Sequence, residues 1–241
     1  MVLPLYLALT GAEISKLQTL SFPCAYMACH FSPYTQGLAN LPTKLPSGSM
    51  LILNDRMPCQ GHSADLIASQ LRDVLDQFTC ESLLLDFQRP PDAEIEDIVR
   101  RIVEVCPCPV AVTEGYASNL HCPVFLSPAP LHVPLADYLQ PWADREIWLE
   151  AALLQEEIAV TETGTDYANR FPPCSQHGGF FDETLCCNYI VKPSPERINF
   201  ILFDTPASLQ KKLSLAHSLG VSRAIGLWQE LGTIIQKSDT R

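Results

Sequence analysis

The chain has 241 residues, of which 47% are hydrophobic and 18% charged, and its formal net charge at pH 7 is −11. This much apolar surface supports a large buried core and excludes a disordered chain. The acidic balance leaves no cluster of Lys and Arg that would neutralise a phosphate backbone, so we do not expect a nucleic-acid partner.

The apolar stretches and the cysteines bear on where the protein works. No run of about 18 apolar residues occurs, so we expect neither a membrane-spanning helix nor a membrane partner. The stretch up to Gly11 lacks a preceding basic residue and a small-residue cleavage pattern, which favours a first strand over a signal peptide. In a chain of this size without a signal, the ten cysteines are expected to be reduced thiols, and we expect a cytoplasmic protein.

Eight short apolar runs are predicted to be β-strands. Most are almost continuously hydrophobic rather than alternating, which is typical of parallel strands buried on both faces. In chain order they are Leu3–Thr10, Cys24–Phe31, Met50–Asn54, Ser82–Phe87, Pro109–Thr113, Cys122–Leu126, Glu146–Glu150 with a possible continuation to Thr161, and Ala224–Trp228.

Three of the connecting segments have helical patterns. The first is Ser63–Phe78, where the serine caps the helix and the apolar residues recur at 3.6 spacing. Asp92 caps the second helix, and either Thr205 or Ser208 opens the third, for which Gly220 is the expected stop. All three lie between predicted strands.

The order of the elements predicts the fold class. Strand, helix and strand in repeated succession form either a parallel barrel or a doubly wound sheet. The connectors Gly115–His121 and Ser127–Arg145 are too short or too proline-rich for full helices. With eight strands we therefore expect an irregular α/β fold, a (β/α)8 TIM barrel, that forms a single domain over residues 1–241.

A long insertion is predicted between the seventh and eighth strands, at Thr163–Asp204. Within it, Tyr189–Val191 and Ile198–Asp204 are joined by Lys-Pro-Ser-Pro-Glu and are expected to form a hairpin. Insertions after a late strand usually decorate the active face of a barrel.

Barrel enzymes gather their functional groups at the carboxyl ends of the strands. Carboxylates and amides there can bind sugar hydroxyls, and a tryptophan can stack on a pyranose ring, so a carbohydrate or another small polar ligand is the expected partner. Plainer interpretations remain open, such as a turn cap or ion pair for the aspartate of the fourth strand and rim packing for the tryptophan. The candidate residues are Asp55, Asp86, Gln88, Glu114, Tyr116, Glu150, Trp228 and Glu230.

Two segments, Cys80–Pro90 with the sequence CESLLLDFQRP and Phe200–Leu231, resemble parts of one known family. The first is similar to the fourth strand of family 18 glycoside hydrolases, the chitinase-like barrels, where the motif is Asp-x-x-Asp-x-Asp-x-Glu. Phe200–Leu231 resembles the family's last elements: a strand ending in Asp, a Ser-x-x-x-Lys helix, a glycine turn and a strand ending in Trp. Those positions are Asp204, Ser208, Lys212, Gly220 and Trp228. The two segments cover about a quarter of the chain, and the resemblance implies the fold and an N-acetylhexosamine-type ligand.

The motif itself is only partly present. Glu81 and Leu84 stand at its first two aspartates, Asp86 is retained at the third, and Gln88 stands at the catalytic glutamate. In the family, that glutamate protonates the leaving oxygen while the neighbouring aspartate orients the substrate acetamide. Glutamine cannot deliver a proton as a carboxylic acid does. The resemblance therefore implies a carbohydrate-binding barrel with impaired or absent hydrolysis, and no cofactor is expected.

Alternatives stay open at this stage. In one alternative, an active glycosidase uses Glu114 or Glu150 in place of the missing acid. The same rim would also suit a small polar metabolite or a purely structural protein. We assign no metal site, although two clusters contain possible ligands. They are Cys174, His177, Cys186 and Cys187, which lack paired short spacings, and Asp55, Cys59 and His62, which fit a turn equally well.

Overall fold

The computed structural model describes residues 3–16, 22–167 and 179–232. Its elements are, in chain order, β1 (Leu5–Leu9), α1 (Gly11–Lys16), β2 (Cys24–Phe31), β3 (Leu38–Ala39), β4 (Met50–Asn54), α2 (Ala64–Phe78), β5 (Ser82–Asp86), α3 (Ala93–Val105), β6 (Val110–Thr113), α4 (Glu114–Ala117), β7 (Val124–Leu126), α5 (Leu135–Leu139) with a 3-10 turn at Gln140–Trp142, β8 (Ile147–Glu150), β9 (Gln155–Thr161), β10 (Gly164–Tyr167), β11 (Phe180–Asp182), β12 (Cys187–Pro193), β13 (Ile198–Phe203), α6 (Pro206–Ser218) and β14 (Val221–Leu227).

Eight parallel strands close into a barrel, in the order β1, β14, β8, β7, β6, β5, β4 and β2, with β1 also pairing with β2. This confirms the predicted TIM barrel and all eight of its strands. The largest difference is at the last strand, which begins at Val221 and ends at Leu227. Trp228 belongs to a helical segment that follows directly, so it does not end the strand as expected.

The barrel interior is filled by one set of side chains, while the strands' other faces pack against the helices. On β5, Leu84 points into the barrel, and Leu83 and Leu85 belong to the larger core under the helices. This alternation is the period-2 geometry of a strand buried on both sides. The interior layer consists of Tyr6, Ala8, Ala25, Met50, Ile52, Leu84, Ala111, Phe125, Trp148 and Ile225.

A cation–π stack occupies the amino-terminal end of the barrel. The Arg223 guanidinium lies 4.8 Å from the centre of the Trp148 ring and pairs with Glu81 Oε1 at 3.2 Å. Trp148 is fully buried and donates its Nε1 hydrogen to Glu146 Oε1 at 2.8 Å. The stack therefore fills this end of the barrel with packed side chains.

The predicted helix caps are present. Ser63 accepts a hydrogen bond from the Leu66 amide. The Asp92 carboxylate accepts hydrogen bonds from the backbone amides of Glu94 and Ile95, and both of these are 3.0 Å long. Of the two residues proposed to open the third helix, Thr205 is the cap. Caps of this kind satisfy backbone N–H groups that have no partner within the helix.

A second sheet follows β8, and it is antiparallel, with strands in the order β10, β9, β13, β12 and β11. Its first strand starts at Gln155, so β8 ends at Glu150 and does not continue to Thr161. Cys187 and Leu202 pack there against Leu131, which lies in the connection after β7. This small core joins the antiparallel sheet to the barrel.

The possible metal clusters and membrane segments can be examined only in the described ranges. Cys174 and His177 lie outside them, and within them no group of three His, Cys, Asp or Glu side chains is placed to hold a metal ion. At the second cluster, the two ring nitrogens of His62 face the carbonyl oxygens of Cys59 and Ser32, at 2.7 and 3.1 Å. None of the helices seen in these ranges combines the length and apolar character that crossing a bilayer requires.

Candidate functional site

A cavity of about 1010 Å³ opens at the carboxyl ends of the barrel strands. Its apolar lining includes Leu84 and Phe125, which belong to the interior layer, and its polar lining comes from residues just after the strands. Four of the candidate residues line it together: Asp55, Asp86, Gln88 and Glu150.

Asp86 and Gln88 form a hydrogen-bonded pair on the cavity wall. The Gln88 amide Nε2 donates to Asp86 Oδ1 at 2.6 Å. Burial raises the pKa of the Asp86 carboxyl above its usual range, although the hydrogen bond from Gln88 opposes this, and the nearby Asp55 carboxylate raises it further. Asp86 is thus a partly desolvated acceptor whose charge responds to pH.

Asp55 serves mainly to hold the neighbouring loop. Its side chain is buried, and its Oδ2 accepts hydrogen bonds from the amides of Gln88 at 3.0 Å and Arg89 at 2.7 Å. Because this carboxylate at the end of β4 binds the backbone after β5, it fixes where Gln88 and Arg89 enter the cavity. The sequence pattern marked Asp55 as a ligand contact, and the structure adds this positioning role.

Two asparagines organise the rim near β2. Asn54 donates to the carbonyl oxygens of Met27 at 3.1 Å and Cys29 at 2.9 Å, where the pairing of β2 with β4 shifts register. Asn40 donates to His30 Nε2 at 3.0 Å, so the ring hydrogen lies on Nδ1, 2.7 Å from the Phe31 carbonyl oxygen. Both ring nitrogens of His30 therefore have hydrogen-bond partners on the cavity wall.

Glu150 lies between two spaces. It ends β8 and lines the large cavity, and it also borders a small internal void of about 10 Å³ that Lys212 lines from the other side. Glu150 therefore shares the cavity with Asp86 and supplies a carboxylate from a distant strand of the barrel.

Four candidates do not line this cavity. Glu114 is an exposed residue at the start of α4, and the Glu230 carboxylate accepts a hydrogen bond from the Leu153 amide. Trp228 stacks on Phe22, with ring centroids 5.2 Å apart, because the chain has already turned into a helical segment. These positions remove the expected tryptophan platform from the site.

Tyr116, the fourth of them, is buried behind the cavity wall. Its hydroxyl donates to the Arg89 carbonyl oxygen at 2.8 Å, and its ring meets Phe87 edge-on. Burial and the nearby carboxylates raise the pKa of Tyr116 to about 12. Tyr116 therefore supports the loop that carries Gln88 and Arg89 and does not contact the cavity itself.

Two further side chains on the rim are not among the eight candidate residues, although Arg89 is one of the polar residues that close the predicted fourth strand. Arg56 and Arg89 follow the ends of β4 and β5 and line the cavity. The available signal was their place in the Asn-Asp-Arg and Asp-Phe-Gln-Arg segments, immediately after buried strands. Only the path of these loops shows that both side chains reach one cavity.

The positions Asp204, Ser208 and Lys212 come together, but away from the cavity. Lys212 Nζ lies 2.9 Å from Asp204 Oδ1 and 3.0 Å from Oδ2, and Ser208 donates to Oδ1 at 3.2 Å. The aspartate side chain is fully buried. This cluster ties the end of β13 to α6 and is a structural feature of the fold.

No protein-family model matches the sequence, and no curated protein matches it in sequence. Solved structures do resemble it. A GH18 chitinase from Cycas revoluta, a double mutant in complex with (GlcNAc)4, is 12% identical with a TM-score of 0.59, over 98% of this chain and 99% of that chain. The spore cortex-lytic enzyme SleL of Bacillus cereus is 11% identical with a TM-score of 0.55, over 93% of this chain and 70% of that chain. Chitinase ChiW from Paenibacillus sp. str. FPU-7 is 8% identical with a TM-score of 0.58, over 99% of this chain and 43% of that chain. At these identities the likeness concerns the fold alone, and the chain has a chitinase-like TIM-barrel fold.

Proposed function

We propose that the barrel mouth binds a carbohydrate of the N-acetylhexosamine type and hydrolyses it slowly or not at all. The observation that carries this proposal is the Asp86–Gln88 pair, which lies on the wall of the large cavity. The fold shared with chitinases, one of them in complex with (GlcNAc)4, supports the same ligand class.

The pair suits recognition of an acetamide group. Gln88 donates to one oxygen of Asp86, which leaves Oδ2 of that carboxylate to accept the N–H of a ligand acetamide. The side-chain carbonyl of Gln88 can accept a hydrogen bond from a sugar hydroxyl. A cavity of about 1010 Å³ has room for more than one sugar ring.

The same pair supports the slow or absent hydrolysis in this proposal. In substrate-assisted hydrolysis the leaving oxygen must receive a proton from an acid beside the scissile bond. The amide of Gln88 cannot supply it, and general acid catalysis is typically worth about 10²–10⁴-fold in rate. Leu84 in the barrel interior also leaves the second aspartate position of the motif apolar.

An active glycosidase that uses Glu150 as its acid is the second candidate. It is favoured by one observation, the presence of the Glu150 carboxylate in the same cavity as Asp86. Glu114, which is exposed on α4 and outside the cavity, does not support this role.

Calorimetric titration with chitooligosaccharides tests the proposal. We expect binding to the wild-type chain, loss of binding in Asp86→Ala, and unchanged binding in the control Asp73→Asn, which alters an exposed residue of α2. Affinity should also fall as the pH falls through the raised pKa of Asp86, because protonation removes an acceptor for the acetamide.

A loss of affinity at low pH that is equal in the wild type and in Asp86→Asn would contradict the assigned role of Asp86. Turnover of a fluorogenic N-acetylglucosaminide by the wild type, abolished in Glu150→Gln, would instead favour the active glycosidase.

A further inference from the structure

We propose that the carbohydrate bound in this cavity carries an acidic group, a carboxylate or a phosphate, and that Arg56 and Arg89 bind it. This inference rests on the proposed function and narrows its ligand class. The two arginines line the cavity from the ends of neighbouring strands, β4 and β5.

The arginines lie side by side and are available to a ligand. Arg89 Nη2 comes within 3.4 Å of the Arg56 carbonyl oxygen, and both residues are exposed. In the described ranges of the chain, the ion pairs formed by Arg and Lys involve other residues and neither of these two. A guanidinium without a protein carboxylate presents its paired donors to an incoming anion.

The carboxylate nearest in sequence is already engaged. Asp55 directs Oδ2 at the backbone amides of Gln88 and Arg89, and no described hydrogen bond joins it to a guanidinium. Its buried charge is therefore compensated by the backbone, and among the described residues no carboxylate lies within ion-pair distance of either arginine head.

Both loops are held in place at their backbones. The Arg56 amide donates to Asn54 Oδ1 at 3.2 Å, the Arg89 amide to Asp55 at 2.7 Å, and Tyr116 donates to the Arg89 carbonyl oxygen at 2.8 Å. Binding of an anion therefore loses little conformational entropy in these loops. This favours a specific contact by the arginines over mobile, solvated charges.

The distribution of charge indicates which side of the mouth an acidic group of the ligand would bind. The chain has 27 acidic and 16 basic residues, so an anionic ligand is repelled unless positive charge is concentrated locally. Arg56 and Arg89 supply that charge at the ends of β4 and β5, whereas Glu150 lies on a strand across the barrel. The Asp55 and Asp86 carboxylates on the same side already accept hydrogen bonds from the loop after β5. The acidic group of the ligand is thus directed toward the arginine pair.

Three matched ligands test the inference by calorimetry: a disaccharide of N-acetylglucosamine, the same disaccharide with a carboxylate on an ether-linked side chain, and the same with a phosphate ester. We expect at least one acidic form to bind the wild type about tenfold or more tightly than the neutral form, the change expected for a charge-assisted contact. The tighter of the two acidic forms identifies the acid. This advantage should shrink as salt is added, because salt screens exposed charges.

Arg56→Gln, Arg89→Gln and the double variant provide the residue test. They should lose the preference for the acidic ligand and retain binding of the neutral one, while Arg72→Gln, on the outer helix α2, keeps the preference. Equal affinity of the wild type for the neutral ligand and both acidic ligands would overturn the inference and leave the proposed function intact. Failure of all three ligands to bind would overturn both.

Discussion

Asp86 and Gln88 are two positions apart, and Phe87 between them is buried in the core under the helices. Side chains two residues apart in an extended segment point to the same side, so both polar groups reach the mouth while the phenylalanine anchors the strand end. The residue type at position 88 therefore decides whether a carboxyl group or an amide lies beside Asp86 at the mouth.

Gln88→Glu should restore hydrolysis of a chitooligosaccharide by about 10²–10⁴-fold over the wild-type rate, because the new carboxyl can protonate the leaving oxygen. The adjacent Asp86 carboxylate raises the pKa of that group, so the activity should decline as the pH rises through the raised pKa and the acid loses its proton. The measurement is the release of reducing ends across a pH series. Gln88→Ala is the matched control. Undiminished ligand binding without turnover in Gln88→Glu would show that other parts of the catalytic machinery are missing.

Helix α6 is joined to the second sheet by the ion pair of Lys212 with Asp204. The Asp204 side chain is fully buried and that of Lys212 is 10% exposed, so neither charge is compensated by water if its partner is removed. Removing one partner of such a pair leaves the other as an uncompensated buried charge. The stability lost in this way exceeds the stability that an exposed ion pair contributes.

Lys212→Met should lower the free energy of unfolding by about 3–5 kcal/mol, as measured by urea denaturation. Lys211→Met is the matched control, because the pair of Lys211 with Glu183 is largely exposed and is worth less than about 1 kcal/mol. The double variant Lys212→Met with Asp204→Leu should regain much of the lost free energy of unfolding, since both charges of the pair are then removed. Equal effects at positions 211 and 212 would show that the buried pair does not hold α6.

The helices also show which structural features a local sequence pattern can predict. The caps Ser63, Asp92 and Thr205 were predictable because each is a short polar side chain directly before an apolar repeat. In the third helix, by contrast, the charged residue Lys212 is buried. A buried lysine is not predictable from hydrophobicity, because only the aspartate brought by β13 makes its burial possible.

At the scale of the whole molecule, the barrel and the second sheet bury or partly bury the thiols in the described ranges. The nine cysteines in the described ranges are free, and burial raises the pKa of each one, for example that of Cys29 to about 12 and that of Cys24 to about 11. Because the thiolate is the reactive form, native thiols of this kind are poor nucleophiles near neutral pH.

Thiol labelling should therefore report global unfolding. With a chromogenic disulfide reagent near neutral pH, we expect slow modification of these nine thiols in the native protein and rapid modification in denaturant. Peptide mass spectrometry assigns the modified sites, and a small alkylating reagent serves as a control for steric exclusion. Rapid native labelling of Cys29, which is fully buried in β2, would contradict a stably closed barrel.

The fold was determined largely by the sequence itself. Eight apolar runs, their polar ends and the caps between them are local features, and local features that agree with one another leave few topologies open. The Asp86–Gln88 pair was predictable for the same reason, since residues two apart at a strand end must share a side.

Tertiary structure alone decided which other rim residues meet. After a strand ends, the direction of a side chain depends on the loop path, and the loop path depends on distant partners such as Asp55 and Tyr116. That is why Glu114, Trp228 and Glu230 lie outside the cavity while Arg56 and Arg89 line it. A strand's position in the barrel follows from its own hydrophobic pattern, but the composition of the mouth follows from hydrogen bonds between loops that are far apart in sequence.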